Sequence, residues 1–267
     1  MAKHEAKGLR AFLGQLKGLI RRNRRVVVVA VAMIVFIGIL EDVLEVQSMK
    51  LDEAAYWLVV EHLRCDLLTP VMESFSALAM PGTLFVMLLA VSAFAPGRRP
   101  GWCCAVNLVM VVALNQVLKF IIQRPRPDGF RLATATGFSF PSGHSMVAMA
   151  FFGLLAWFVW KFEKDKRERN FLVVAFALVI FMIGLSRIYL GVHYASDVIG
   201  GFCLSAAWLA LYTNIAVPLF LGDEVNLGAK HVAKRLSPEQ EAEREAVEEL
   251  EAPKPLVTPE ASEAREE

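Results

Sequence analysis

The chain has 267 residues, 56% of them apolar, and a mean hydropathy of +0.47. Soluble domains of this size usually hold about 45–50% apolar residues. Here the excess falls in blocks of roughly 15–25 residues, long enough to cross a bilayer. Composition excludes a disordered chain, a collagen-like chain and a disulfide scaffold, and it disfavours an ordinary cytosolic enzyme. The net charge of +1 conceals an asymmetry, because residues 237–267 carry eleven acidic and three basic side chains and the remainder is therefore +9. Cys65, Cys103, Cys104 and Cys203 show no metal-type spacing and read as small hydrophobes.

In chain order, residues 1–25 come first, with eight Lys or Arg and one Glu. Leu9, Phe12, Leu13, Leu16, Leu19 and Ile20 recur at helical spacing, the pattern of a basic amphipathic helix on an anionic membrane surface. A plain topology signal explains the same charges. No cleavable signal peptide is expected, since Val26–Leu40 runs into Glu41, Asp42 and Glu45 rather than a small-residue cleavage site. Six apolar segments are predicted near 26–43, 78–96, 102–122, 143–161, 171–189 and 197–221. The stretch 54–63 contains Glu61 and His62 and reads as an interfacial or re-entrant helix.

The expected fold is therefore all-α: a polytopic membrane bundle of six transmembrane helices, with an interfacial helix between the first two. The membrane domain spans 26–221, preceded by the cytoplasmic basic segment 1–25 and followed by an acidic, largely disordered cytoplasmic tail, 222–267. Basic side chains cluster in the N-terminus, at Arg98 and Arg99, at Lys161–Arg169 and at Lys230–Arg235. With six spans these share one side, and the positive-inside rule makes that side cytoplasmic. Both termini then face the cytoplasm of the cell (inner) membrane.

Two outward connections break the charge rule. The first holds Lys119, Arg124, Arg126 and Arg131, and the second holds Arg187, His193 and Asp197. Ionisable groups near membrane depth are costly and usually functional. Pro141-Ser142-Gly143-His144 opens the fourth segment, so all of these residues gather at one membrane face. Among them Lys119, Arg126 and Arg187, with His144, His193 and Asp197, give three cations, two histidines and a carboxylate, which suit phosphoryl transfer. Lys and Arg can neutralise phosphate oxygens, and a helix start at Ser142-Gly143 favours an anion. One histidine can attack phosphorus while the other protonates the leaving oxygen. Asp197, four residues after His193, can hold the imidazole.

The sequence resembles the type 2 phosphatidic acid phosphatase family of membrane lipid phosphatases. That family's signature is K-x6-RP, then PSGH, then SR-x5-H-x3-D. Lys119 with Arg126-Pro127, Pro141 to His144, and Ser186-Arg187 with His193 and Asp197 match it at all eleven fixed positions, in order. The resemblance implies that His193 is the nucleophile and forms a phosphohistidine, that Asp197 orients it, and that His144 is the general acid. It implies phosphate binding by Lys119, Arg126, Ser142, Gly143 and Arg187, with no metal and no other cofactor. The acids of 41–53 could bind a cation but read better as an exposed loop. Arg124 and Arg131 could touch a second phosphate or a headgroup, or be interfacial charges. Phe130, Phe138 and Phe140 could border a lipid path or anchor the loop.

The expected partners are a membrane lipid phosphate substrate and the bilayer, with no nucleic acid; the sequence leaves the oligomeric state open. The implied function is hydrolysis of a lipid phosphate or diphosphate at the extracytoplasmic face. Undecaprenyl diphosphate, phosphatidylglycerophosphate and phosphatidic acid are the candidate substrates. Two other readings stand beside it: a lipid-linked phosphotransferase using the same histidine chemistry, and a non-catalytic transporter or binding protein for anionic lipids.

Overall fold

The structure, a computed structural model, describes residues 23–45, 49–95, 99–129 and 131–233, with residues 24 and 223–233 described as backbone only. The basic helix expected over 1–25 and the acidic tail lie almost wholly outside the described residues. All described regular structure is helical. The helices are α1 Arg24–Glu45, α2 Lys50–Tyr56 running into a π-helical segment Trp57–His62, α3 Thr69–Ala77, α4 Pro81–Phe94, α5 Arg99–Ile122, α6 Gly143–Phe162, α7 Lys166–Tyr189 and α8 Ala195–Ala233. The chain divides after Gly222. Inside α8, Pro218 precedes a non-helical residue, Leu221 (φ −121°, ψ 17°).

Five helices are long and apolar enough to cross a membrane, and α3 with α4 makes a sixth if that pair, bent by 57°, is one span. The second predicted segment, 78–96, is α4, 14 residues long, and α3 adjoins it across the bend. The break has a local cause. Met80 precedes Pro81 and adopts an extended backbone (ψ 146°), the conformation a following proline imposes. Helix α3 went unpredicted because its nine residues carry only a short apolar pattern.

The exterior is apolar and the interior carries the polar residues. Along α1, Ala32, Phe36, Ile39 and Val43 form one buried stripe, whereas Ile34 on another face is 70% exposed. That stripe packs on Phe140, whose ring stacks on Phe36 at 5.8 Å between centroids. Phe140 is fully buried, so it is a core residue and neither borders a lipid path nor anchors a loop at the interface. Inside the bundle, Asn107 Nδ2 donates to the Ala150 carbonyl (2.8 Å) and Oδ1 accepts from Trp208 Nε1 (2.9 Å). Tyr212 donates to the Cys103 carbonyl at 2.7 Å. These bonds tie α5, α6 and α8 together where no water competes.

At the opposite end from the motifs, the α6–α7 connection is short. Asp165 caps α7 by accepting from the N–H groups of Arg167 (2.7 Å) and Glu168 (3.0 Å). The bonds from Glu168 and Arg167 hold its carboxyl below the usual range. Lys161 lies over Trp157 and Arg169 over Trp160, an arrangement that suits a membrane interface.

Where α8 crosses the start of α6, Gly201 allows backbone contact. A Cβ there would lie 3.0 Å from the Ser142 carbonyl oxygen and 3.2 Å from Ser145 Cβ. Backbone cannot step aside as a flexible side chain can. The Gly201→Val variant should therefore lose about 1–3 kcal/mol of stability, read as a lower melting temperature in detergent, with activity falling in parallel because the start of α6 is displaced.

Candidate active site

Four helix ends meet at one end of the bundle: the last turn of α5 with Lys119, the first turn of α6 with His144, the last turn of α7 with Arg187 and the first turn of α8 with Asp197. The described residues of the α5–α6 connection, 123–129 and 131–142, are non-helical. Gln123 takes a left-handed backbone (φ 51°) while its N–H bonds back to Lys119 (3.0 Å), a common helix ending. The chain then runs through Arg124, Arg126 and Pro127 and returns along Ser139 and Phe140. A bond from Ser139 N–H to the Arg124 carbonyl (2.8 Å) closes the loop.

The turn after α7 explains the five-residue spacing between Arg187 and His193. Leu190 N–H bonds to the Ser186 carbonyl (2.9 Å), Gly191 to Ile188 (2.9 Å) and Val192 to Arg187 (3.2 Å). Gly191 sits at φ 73°, where side chains other than glycine are strained. The turn folds His193 back beside the α7 end. Tyr189 is fully buried, and its hydroxyl fixes the neighbouring segment by donating to the Cys65 carbonyl (2.9 Å) and meeting Thr69 Oγ1 (2.9 Å).

His193 is 4% exposed and Asp197 is fully buried. The His193 Nδ1 faces Asp197 Oδ2 at 3.2 Å, one helical turn away. Its Nε2 lies 3.2 Å from Arg126 Nη1. Because Nδ1–H is held by the carboxylate, Nε2 carries the ring's lone pair, which faces the Arg126 Nη1–H donor. Burial pushes the imidazole down to about 4, against the upward pull of Asp197 and with Arg126 and Arg187 adding to the fall. The ring is thus neutral near pH 7, the form a nucleophile needs.

The three cations of the motif are held by neutral acceptors. Arg126 donates from Nε to Gly137 (3.0 Å), from Nη2 to Thr136 (3.0 Å) and from Nη1 to Val192 (2.8 Å), all carbonyl oxygens. Lys119 donates to the Phe138 carbonyl and Arg187 to the Ser76 hydroxyl. His144 is within electrostatic reach of Arg187, His193, Lys119 and Arg126. Its Nε2 is buried with no hydrogen-bond partner. Ser142 is the N-cap of α6, and its hydroxyl meets Ser145 N–H (3.4 Å) and Oγ (3.0 Å). The first bond along the helix backbone is Met146 N–H to the Ser142 carbonyl (3.0 Å), so the N–H groups of Gly143 and His144 precede the ladder, as at any helix start. Asn115 holds this corner by donating to the Pro141 carbonyl (3.0 Å). A cavity of ≈ 490 Å³ reaches His193 between Tyr56, Trp57, Asp128 and Tyr194.

Several residues at the site were not expected there. Arg124 is 3% exposed and lies between Asp52 (2.9 Å) and Asp197 (2.6 Å), so it is neither an interfacial charge nor engaged with headgroups. Asp52 is likewise 4% exposed and not part of an exposed loop. Ser139 donates to Asp197, and Ser76 accepts from Arg187. A buried partner for Arg124 could have been anticipated, because an arginine in an apolar end layer needs a counter-charge. Nothing local marks Asp52, Ser76 or Ser139. Arg131 is exposed and folds onto the Pro127 carbonyl.

A polytopic helical bundle with a buried, cation-rich end and two histidines defines a membrane enzyme of phosphate chemistry. The pattern of the PAP2 superfamily matches residues 100–220. Phosphatidylglycerophosphatase B of Bacillus subtilis is 31% identical over 179 residues, which cover 65% of this chain and 88% of that protein. With this the chain belongs to the PAP2 superfamily. A lipid A 1-phosphatase of Rhizobium johnstonii is 36% identical over 112 residues, 38% of this chain and 41% of that one. The crystal structure of a transmembrane PAP2-type phosphatidylglycerolphosphate phosphatase from Bacillus subtilis superposes with a TM-score of 0.64 at 26% identity, covering 70% of this chain and 95% of that one. These relatives are membrane lipid phosphatases, and this chain fits the same reaction class, hydrolysis of a lipid phosphate.

Two substitutions test the geometry. Gly191→Ala keeps every polar group but strains the turn by about 1–2 kcal/mol; a modest loss of melting temperature with a larger loss of kcat is expected, because His193 follows two residues on. Arg126→Lys keeps the charge but puts its donors on one nitrogen, losing the planar fork whose three nitrogens reach three separate carbonyls. It should lower kcat/KM by about 100-fold or more in steady-state assays of phosphate release.

Proposed function

We propose that this protein removes phosphate from a membrane lipid at the extracytoplasmic face, through a phosphohistidine on His193. The observation that carries the proposal is the His193 ring itself: Nδ1 turned to a buried carboxylate and Nε2 turned to Arg126, both at 3.2 Å. In the first step the Nε2 lone pair attacks phosphorus. The bond from phosphorus to the ester oxygen breaks, and that oxygen takes a proton from His144 Nε2. Asp197 balances the positive charge that forms on the His193 ring. In the second step His144 removes a proton from water, the resulting oxygen attacks phosphorus, and the electrons of the P–N bond return to Nε2. Lys119, Arg126, Arg187 and the helix start at Ser142 and Gly143 hold the phosphate oxygens throughout.

Among candidate substrates, phosphatidylglycerophosphate comes first, because the relative that this chain spans over most of its length is a phosphatidylglycerophosphatase. Undecaprenyl diphosphate and phosphatidic acid follow. The basic connections favour an inner-membrane orientation with both termini cytoplasmic. Segment 1–25 and tail 222–267 then flank the catalytic domain 26–221 on the cytoplasmic side.

The test is phosphate release from phosphatidylglycerophosphate and from undecaprenyl diphosphate by the detergent-purified full chain in EDTA. Wild type is expected to release phosphate from at least one, and His193→Ala to lose about 1,000-fold or more in kcat. Activity retained by His193→Ala would overturn the nucleophile.

The acid limb of kcat/KM gives a second check. Because burial lowers the His193 pKa to about 4, the imidazole stays neutral below its ordinary value near 6.5, and activity should fall only as pH drops through that lower range. The substrate's own ionisation near pH 6 must be subtracted. A corrected limb at about 6.5 would show a solvated, unperturbed histidine.

A further inference from the structure

We infer that Asp52 and Arg124, which lie outside the sequence motifs, are positioning residues that set how strongly Asp197 holds the catalytic histidine. The inference rests on the nucleophilic role proposed for His193. Arg124 Nη1 donates to Asp197 Oδ1 (2.6 Å) and to Ser196 Oγ (2.7 Å), while Nη2 donates to Asp52 Oδ2 (2.9 Å). Asp52 also accepts from Ser196 N–H (2.8 Å) and Ser196 Oγ (2.7 Å). On its other oxygen, Asp197 accepts from His193 Nδ1, Ser139 Oγ and Tyr194 N–H (2.9 Å). Tyr194 lies under the Arg124 guanidinium, 4.1 Å from the ring centroid. The chain of contact is therefore Asp52, Arg124, Asp197, His193, with every charged member nine-tenths buried or more.

The charges explain why two carboxylates are needed. One arginine shared by Asp52 and Asp197 leaves the buried group at −1 while His193 is neutral. Attack on phosphorus makes the ring cationic, and the group then closes at zero. Without Asp52, the whole charge of Arg124 would fall on Asp197. Asp197 would then offer less to the His193 ring at the moment that ring becomes positive, and the cost would fall on the transition state rather than on substrate binding. Asp52 comes from α2, far away in sequence, so a segment before the first motif also bears on the chemistry.

The test is a cycle on the full chain, with phosphatidylglycerophosphate in detergent micelles as probe. Asp52→Asn should lower kcat about 10-fold with KM changed less than about twofold, and it should have no further effect in an Asp197→Asn background. Ser196→Ala leaves all charges in place and removes the hydroxyl that bridges Arg124 and Asp52. It should lower kcat about threefold, again only where Asp197 is intact. A substrate-free readout runs alongside: the rate at which diethyl pyrocarbonate modifies His193, followed on its peptide by mass spectrometry. That rate should fall in Asp52→Asn and Ser196→Ala and be unaffected by either when Asp197 is already Asn. An unchanged kcat and modification rate in both variants, or equal fold-losses in both backgrounds, would overturn the inference and leave Asp52 a structural partner of Arg124. If His193→Ala or Asp197→Asn keeps full activity, it is the proposed mechanism that fails, whatever Asp52 does.

Discussion

Asp197 is a carboxylate with no exposed surface at the end of a bundle whose outer surface is hydrocarbon-like. An ion in such a place is tolerated only if its lone pairs are filled by donors of the right charge. Those donors come from three separate stretches, Arg124 after α5, Ser139 before α6, and His193 with Tyr194 before α8, and Asp52 balances Arg124 from a fourth, α2. Satisfying one carboxylate therefore draws together every segment that the chemistry needs. The folding constraint and the catalytic constraint fall on the same atoms.

The helices meet this requirement by where they stop. Gln123 ends α5 with a left-handed residue, Ser142 caps α6, and Gly191 turns the chain back at the end of α7. Each ending faces the same end of the bundle because α5 to α8 alternate in direction. The apolar faces of the helices supply stability in lipid, and the polar atoms freed at the helix ends supply the site. Close contact at Gly201 and the bond from Ser142 N–H to the Asp197 carbonyl (3.1 Å) then couple the α6 start to the α8 start, so the two histidines are held in one frame.

How much of this could be read from the sequence depended on the kind of signal. Long apolar blocks announced α1, α5, α6, α7 and the part of α8 up to Gly222 to within about five residues, because a span must be continuous in composition. Of the α3–α4 pair only α4 was read, within 78–96; the nine residues of α3 are too short and too mixed in polarity to stand out in hydropathy. The residues of the three motifs were legible because charge in an apolar context is conspicuous. Asp52 was misread for the converse reason. Among Glu41, Asp42, Glu45 and Glu53 it looks like one more acid in an acidic loop, and only the fold tells that it is the buried one. Arg124 was visible as a charge, but its partner lies 72 residues upstream and no spacing rule links the two. Ser76 and Ser139 carry no signal, since a serine at a helix end has many innocent uses.

The partners that they hold divide four cations of the site, Lys119, Arg124, Arg126 and Arg187, into two kinds. Arg124 sits between two carboxylates, its charge spent on the scaffold. Lys119, Arg126 and Arg187 have neutral direct partners, carbonyl or hydroxyl oxygens and, for Arg126, the His193 ring, and none is in an ion pair among the described residues. Dipoles fix these side chains in position without cancelling their charge. An anion arriving among them gains nearly the full Coulomb attraction with little reorganisation, which is the condition for preorganised electrostatic catalysis. Had the same three cations been paired with acids, the site would be more stable empty and worse at receiving phosphate. Asp52 and Asp197 sit instead on Arg124 and His193, so neither of these two buried carboxylates cancels the charge of the three cations.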